Sequence, residues 1–321
     1  MQFVLHMAMQ IPGGRAADRF GARRTALAGL ALIAAGNALS LIHASVALGF
    51  AGRAVVGFGT GLAFVSGSDY IRARGGSPLL QGVYGSASVL APGIALAVVP
   101  AFAGFRSPYL TAIVVAVLAL ITLAAAPPAA LTPRHAGERL AADLFRDVGL
   151  YRFGAIHAMS FGFSVVVGNW VVTLLEHHGE SKGTAAAIGS LTLLLGFFTR
   201  IAGGSLLRRA DAWRWVAASL VVGGVSSVAL ATPLSLAGYA AASAVLGLAA
   251  GIPFAMAFTG AASARPDAPG AAVGLVNACA SLVIVVGTPV VGLTFSLPGD
   301  GRIGFAAMGV LAALAALATP R

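Results

Sequence analysis

Long apolar runs separated by short polar breaks fill this chain. They fall at about 25–42, 46–71, 79–103, 108–126, 150–175, 183–207, 213–231, 236–262, 270–295 and 303–318. A helix needs about 20 apolar residues to cross roughly 30 Å of hydrocarbon. Each run therefore predicts a membrane span, and the fold class is all-α and polytopic. Residues 1–13 are also apolar but too short to span, and they predict the inner end of one more helix. That makes ten complete spans and one partial. The longest polar interruption, 127–149, holds Pro127, Pro128 and Pro133 among charges of both signs. It divides the chain into a first bundle over 1–126, a cytoplasmic linker over 127–149 and a second bundle over 150–321.

Composition agrees with that reading. Hydrophobic residues make up 58% of the 321 and charged ones 9%, with a mean hydropathy of +0.91. Soluble domains carry about 25% charged residues, so the lipid bilayer is the expected surroundings. A net charge of +10 would suit a nucleic-acid binder. Here, though, the arginines sit in short loops between apolar runs, which is a topology signal and excludes that partner. Placing 15–24 in the cytoplasm puts fifteen Lys and Arg on that side, three on the other, and two, Arg53 and Arg200, within spans. The cytoplasmic set then comprises 15–24, 72–78, 127–149 (with Arg134 and Arg139), 208–214 and the C-terminus with Arg321. Trp213, Trp215, Tyr70, Tyr109 and Tyr151 fall at run ends, where aromatic anchors belong. Cys279 is the single cysteine, so no disulfide is expected, and no signal peptide is legible.

The densest polar stretch is Gly14-Arg15-Ala16-Ala17-Asp18-Arg19-Phe20-Gly21-Ala22-Arg23-Arg24. A glycine lets two membrane helices approach closely, and a carboxylate suits a helix N-terminus. A shift of 190 residues superposes Gly14 on Gly204, Arg19 on Arg209, Arg24 on Arg214, Gly57 on Gly247, Gly61 on Gly251 and Phe64 on Phe254. An internal repeat of this size is a mark of transporter folds. The second copy of the polar stretch is degraded: Arg208 stands where Asp18 would be.

The pattern G-x-x-x-D-R-x-G-x-R-R over 14–24 resembles the signature loop of the major facilitator superfamily. Arg53-Ala54-Val55-Val56-Gly57-Phe58-Gly59 is similar to that family's R-x-x-x-G-x-G. The resemblance implies two pseudo-symmetric six-helix bundles working by alternating access, with the first helix missing from this chain. It makes Gly14, Asp18, Arg19, Gly21, Arg23 and Arg24 a conformational latch. The stretches Gln81–Gly85, Thr199–Gly204 and Gly270–Asn277 resemble, weakly, the nitrate/nitrite and cyanate-type branch. That branch's other arginine is replaced by the region of His6 and Gln10. Gly85 and Ala91-Pro92-Gly93 are partly similar to the drug–proton antiporter signature.

An arginine inside a span costs at least about 2.5–3.5 kcal/mol at its centre, so Arg200, and behind it Arg53, are the leading candidates for solute binding. Asn169, Asn277 and His157 are the other polar candidates. Acids near the membrane are few, with Asp69 and Glu176 the nearest to it. Glu176-His177-His178-Gly179-Glu180 is read as a solvated loop, and no metal is expected. There is no P-loop, because the only lysine, Lys182, is followed by Gly183. Nor is a Ser/His or paired-carboxylate arrangement legible, so no enzyme and no cofactor are expected. The expectation is a monomeric secondary transporter of the inner, cytoplasmic membrane, taking a small anionic solute and open to proton coupling. A drug/proton antiporter and a non-transporting membrane sensor are the alternatives.

Overall fold

The computed structural model describes residues 1–99, 104–129 and 140–320, with the side chains of 96–97 and 140–142 set aside. Of the expected linker, Pro133, Arg134 and Arg139 lie outside the described residues, as does Arg321 at the C-terminus.

The described elements are helices: α1 (Gln2–Ala8), α2 (Gln10–Phe20), α3 (Ala22–Leu41), α4 (Val46–Ala73), α5 (Pro78–Val98), α6 (Arg106–Ala125), α7 (Leu140–Arg146) and α8 (Val148–His157). A π-helical turn over Ala158–Gly162 joins α8 to α9 (Phe163–His177). Then follow α10 (Lys182–Leu206), α11 (Ala212–Leu230), α12 (Leu236–Gly251), α13 (Pro253–Ala264), α14 (Pro269–Thr294) and α15 (Arg302–Ala315). Among the described residues, eight helical stretches are long and apolar enough to cross a membrane, two of them built from the pairs α8–α9 and α12–α13. Pro253, which has no N–H to donate, marks the break between α12 and α13.

The stretch 15–24 corrects one expectation. It is not a loop. Helix α2 continues through Arg15, Asp18 and Arg19 to Phe20, and only Gly21 interrupts the helical path, at φ 94°, a region glycine enters without strain. The arginines mark a surface boundary in the sequence, but Pro12 falls in the first turn of α2, where its missing N–H is tolerated, and no proline follows before Phe20.

Residue contacts define two units. The first comprises Met1–Ser77, Ala101–Leu150 and Ala261–Ser281. In it α4 packs on α1, α2 and α3, and α3 also packs on α6. Glycines set these distances: a Cβ on Gly29 would lie 2.7 Å from the Gly59 carbonyl oxygen, and one on Gly36 would lie 2.7 Å from that of Gly52. Without a hydrophobic drive between helices in lipid, such close backbone packing holds them together. Helix α6 turns Leu110, Val114, Val115, Leu118 and Ile121 outward, as a lipid-facing helix does.

The second unit comprises Pro78–Pro100, Tyr151–Gly260 and Leu282–Arg321. Helix α10 is its hub, packed on α5, α9 and α12, while α11 packs on α12 and α15. Its core is built from Phe163, Val167, Val171, Leu174, Leu246 and Phe305.

Candidate functional site

The second unit holds the most unusual side chain in the chain. Arg200 sits on α10, which starts cleanly because Ser181 Oγ accepts the N–H of Thr184. Gly82 lets the α5 backbone lie directly against that of Arg200. The Arg200 side chain is 1% exposed. Its Nη1 donates to the Gly85 carbonyl at 2.7 Å and to Ser88 Oγ at 2.6 Å, both on α5. Its guanidinium carbon lies 4.7 Å from the centre of the Phe254 ring and 5.0 Å from that of Phe161. Nε and Nη2 are buried and have no hydrogen-bond partner among the described residues.

The energetics of this arrangement are incomplete. Burying a charge costs several kcal/mol even after relaxation. Desolvated cation–π contacts return about 2 kcal/mol each, and hydrogen bonds to a charged group about 1.5–3 kcal/mol. Among the described residues no carboxylate hydrogen-bonds this guanidinium and nothing accepts from Nε or Nη2, so its charge has no compensating partner among them.

His157 shares the same rings. It stacks on Phe161 at 5.7 Å and meets Phe254 and Phe258 at 5.5 and 4.8 Å. Arg200 and His157 are thus brought together by an aromatic cage. Asn169, on α9, is exposed. The histidines at 177 and 178 are turned to local partners: His177 faces Asp300 at 3.9 Å, and His178 bonds Leu174 O and Tyr239.

In the first unit Arg53 is bonded through two of its three nitrogens, and Nε is buried with no hydrogen-bond partner among the described residues. Nη2 donates to Asn37 Oδ1 at 2.6 Å, Nη1 to Gln2 Oε1 at 3.3 Å, and the group lies 5.0 Å from the Tyr109 ring centre. Asn37 is fixed in turn by donating to the Ile33 carbonyl. Arg53 borders a groove of about 480 Å³ with Val46, Phe50 and Tyr109, but two neutral side chains already hold it. Asn277 is fully buried and donates to Gln10 Oε1 at 2.8 Å.

The residues of the polar stretch do separate things. Asp18 Oδ1 accepts the N–H of Gly270 at 3.0 Å, and Oδ2 accepts that of Ala271 at 3.1 Å. These are first-turn amides of α14, which lack intrahelical partners. A Cβ on Gly14 would collide with the same turn, 2.5 Å from the Gly270 carbonyl carbon and 2.8 Å from Ala271 Cα. Burial, with repulsion from Asp69 next, lifts the Asp18 carboxyl to about 6, against the two N–H groups and Arg72. Arg23 donates through Nε to Leu123 O at 3.0 Å and through Nη2 to Ala124 O, closing the end of α6. Arg19 lies over Phe20, and Arg24 is exposed.

The repeat at 190 residues is visible inside each unit. A Cβ on Gly61 would meet Met9 and the His6 carbonyl, and one on Gly251 would meet Thr199 and the Gly196 carbonyl. Gly14 packs on the start of α14, and Gly204 on Pro78 and Leu79 at the start of α5. Gln10 and Arg200 are therefore equivalent positions. Asp18 has as its counterpart the exposed Arg208, which cannot accept from amides.

Membrane-length helices in a 190-residue repeat, packed through glycines around buried polar side chains, define a polytopic transporter-type bundle. The profile of the major facilitator superfamily matches residues 1–288, and the chain belongs to that family. A sequence comparison with curated proteins gives no match. Among solved structures, the human organic anion transporter TETRAN is similar with a TM-score of 0.79 at 17% identity, over 99% of this chain and 81% of that one. The E. coli fucose:proton symporter is similar with a TM-score of 0.74 at 15% identity, over 99% of this chain and 90% of that one. A fucose transporter in the outward conformation gives 0.74 at 14% identity, over 98% and 86%. At these identities the likeness is one of fold.

Proposed function

We propose that this secondary transporter moves a small anionic solute across the cytoplasmic membrane by alternating access, and that the solute docks on Arg200. One observation carries the anion reading: a fully buried guanidinium with two donors unmet and no carboxylate bonded to it among the described residues. A planar oxyanion would satisfy Nε and Nη2 in the bidentate geometry that arginine offers and lysine does not. An organic-anion transporter among the fold relatives is consistent with this but does not carry it. Phe161 and Phe254 hold the guanidinium plane, and Gly85 with Ser88 fix its inner edge. In this reading 1–126 and 150–321 are the two moving bundles, 127–149 links them in the cytoplasm, and Asp18 with Gly14 is the latch. Arg53, already bonded to Asn37 and Gln2, positions helices and does not contact the solute.

The test is uptake into proteoliposomes of radiolabelled nitrate, acetate, benzoate and glutamate, with a lipophilic cation as comparison. Arg200→Lys keeps the charge and loses the fork, so uptake of the transported anion should fall at least tenfold, as it should in Arg200→Ala. Normal anion uptake by both variants removes the anion reading. Uptake of the cation alone by the wild type makes drug/proton antiport the better account, and no uptake of any probe supports the sensor alternative.

A further inference from the structure

The first unit contains a hydrogen-bond network that the anion site does not use. His6 on α1 has both ring nitrogens engaged: Nδ1 lies 3.0 Å from Thr60 Oγ1 on α4, and Nε2 lies 3.5 Å from Asn277 Nδ2 on α14. Asn277 Nδ2 also donates to Gln10 Oε1 at 2.8 Å, and Gln10 Nε2 donates to the His6 carbonyl at 2.9 Å. Thr60 Oγ1 donates to the Gly57 carbonyl at 3.1 Å.

Two carbonyls anchor the direction of every bond, because a carbonyl can only accept. The Gln10 amide must present its NH2 to the His6 carbonyl, which leaves Oε1 facing Asn277. Asn277 must then present its NH2 to both Gln10 and His6. His6 Nε2 is therefore an acceptor with a bare lone pair. At the other end Thr60 spends its hydrogen on Gly57, so it accepts from His6 Nδ1–H. The network fits the neutral Nδ1–H tautomer and no other.

That tautomer has one place for a further proton, Nε2, and the geometry forbids it without movement. A protonated Nε2 would set N–H against the NH2 of Asn277. The Asn277 amide would have to turn, and its bond to Gln10 would then become a clash of two oxygens. Gln10 and Asn277 are both 0% exposed, so neither could exchange its lost partner for water in place. His6 itself is half-buried. The charged groups facing this region are few. Helix α4 carries Arg53 one side of Thr60 and Asp69 and Arg72 the other, α2 carries Arg15, Asp18 and Arg19 beyond Gln10, and α14 carries none. Among the described residues no carboxylate bonds to His6.

We propose that His6 is a proton-binding site, and that a proton taken at Nε2 releases α14 from α1 and α2 by breaking the Asn277 contact. For the use of that proton in coupling, the inference rests on the transporter reading; the binding and release are tested without transport. Cys279 lies two residues past Asn277 on α14, partly exposed, and is the only thiol of the chain.

The experiment has two arms on purified wild-type protein. In the first, histidine labelled with ¹⁵N is followed by NMR between pH 8 and 4.5, with the His6 signals assigned by His6→Gln. The expected result is a bare Nε2 with a protonated Nδ1 at high pH, and gain of a proton at Nε2 on acidification. In the second, the rate of Cys279 alkylation by N-ethylmaleimide is followed over the same range. The wild-type rate divided by that of His6→Gln, which cancels the titration of the thiol itself, should rise at least threefold as Nε2 is protonated. Asn277→Asp supplies an acceptor for the new N–H, so it should hold the proton at pH values where the wild type has lost it. Should His6→Gln fail to fold, Asn277→Asp provides the assignment shift, and a free model thiol alkylated over the same range provides the reference rate. An Nε2–H tautomer at high pH, a His6 signal that does not titrate, or identical alkylation profiles with and without His6 would each overturn the proposal.

Discussion

Replacing Gly14 by alanine adds one methyl group at the close contact between α2 and the start of α14. The new Cβ would stand 2.5 Å from the carbonyl carbon of Gly270 and 2.8 Å from Ala271 Cα. Carbon atoms prefer about 3.5–4.0 Å, so α2 and the start of α14 must part by roughly 1 Å. Both obstructing groups are backbone and cannot swing aside. The Asp18 bonds at 3.0 and 3.1 Å stretch with them, to about 4 Å, past the useful range. Overpacking of this kind costs about 1–3 kcal/mol, and weakening hydrogen bonds to a charged acceptor costs about 1.5–3 kcal/mol. Alanine returns up to about 1 kcal/mol through helix propensity. With that return taken in full, the net loss at the contact is about 1.5–5 kcal/mol, roughly a 10- to 5,000-fold shift toward the parted state. Hydrogen–deuterium exchange reads it directly, because the Gly270 and Ala271 amides have Asp18 as their acceptor. Their exchange should accelerate by that factor in Gly14→Ala and stay unchanged in Gly49→Ala, where a Cβ meets nothing within 4 Å. Undiminished protection in a folded Gly14→Ala protein would refute the reasoning.

Three further outcomes are expected. Asp18 in the contact takes its proton at about 6, above the ordinary 3.8; the contact therefore binds a proton more tightly than the parted state does. Its stability is full below about 4, falls as pH rises from there to about 6, and is flat above; the corrected exchange rate should follow that course and lose it in Asp18→Asn. Gly85→Ala would drive a methyl into the ring of Phe254, which also contacts His157 and Arg200, and should lower stability by about 1–3 kcal/mol in denaturant titrations. Asn37→Leu removes the shorter of the bonds to the half-buried Arg53, at a cost of about 1.5–3 kcal/mol by the same titration. A change under about 0.5 kcal/mol in either of these variants would contradict the contacts described.

Hydropathy alone placed most helix ends within a few residues, because lipid leaves little choice but apolar helices of fixed length. The 190-residue repeat was equally legible, since the glycines that make it are demanded by backbone contact at Gly61 and Gly251, Gly14 and Gly204. Residues 15–24 were misjudged as a loop: charge reports the membrane surface and says nothing about backbone path, which only Gly21 breaks. Arg200 could be singled out as an arginine inside a span, but its partners could not. Gly85 and Ser88 lie 115 and 112 residues away, and the Phe161 and Phe254 rings look like ordinary core. His6, Gln10 and Asn277 were each visible, yet their network spans up to 271 residues of sequence, and nothing periodic announces it.

Whether an anion occupies Arg200 is read most directly at the guanidinium itself. Protein labelled with ¹⁵N-arginine, with the Arg200 Nε–H signal assigned by Arg200→Lys, is titrated with the anion that proteoliposomes take up, at constant ionic strength. Arg23, whose Nε already donates to Leu123, is the internal reference. The account predicts that the Arg200 Nε–H signal alone moves to the position of a hydrogen-bonded guanidinium, saturably, while that of Arg23 stays. A saturating anion that leaves Arg200 unmoved, or shifts every arginine alike, would contradict it.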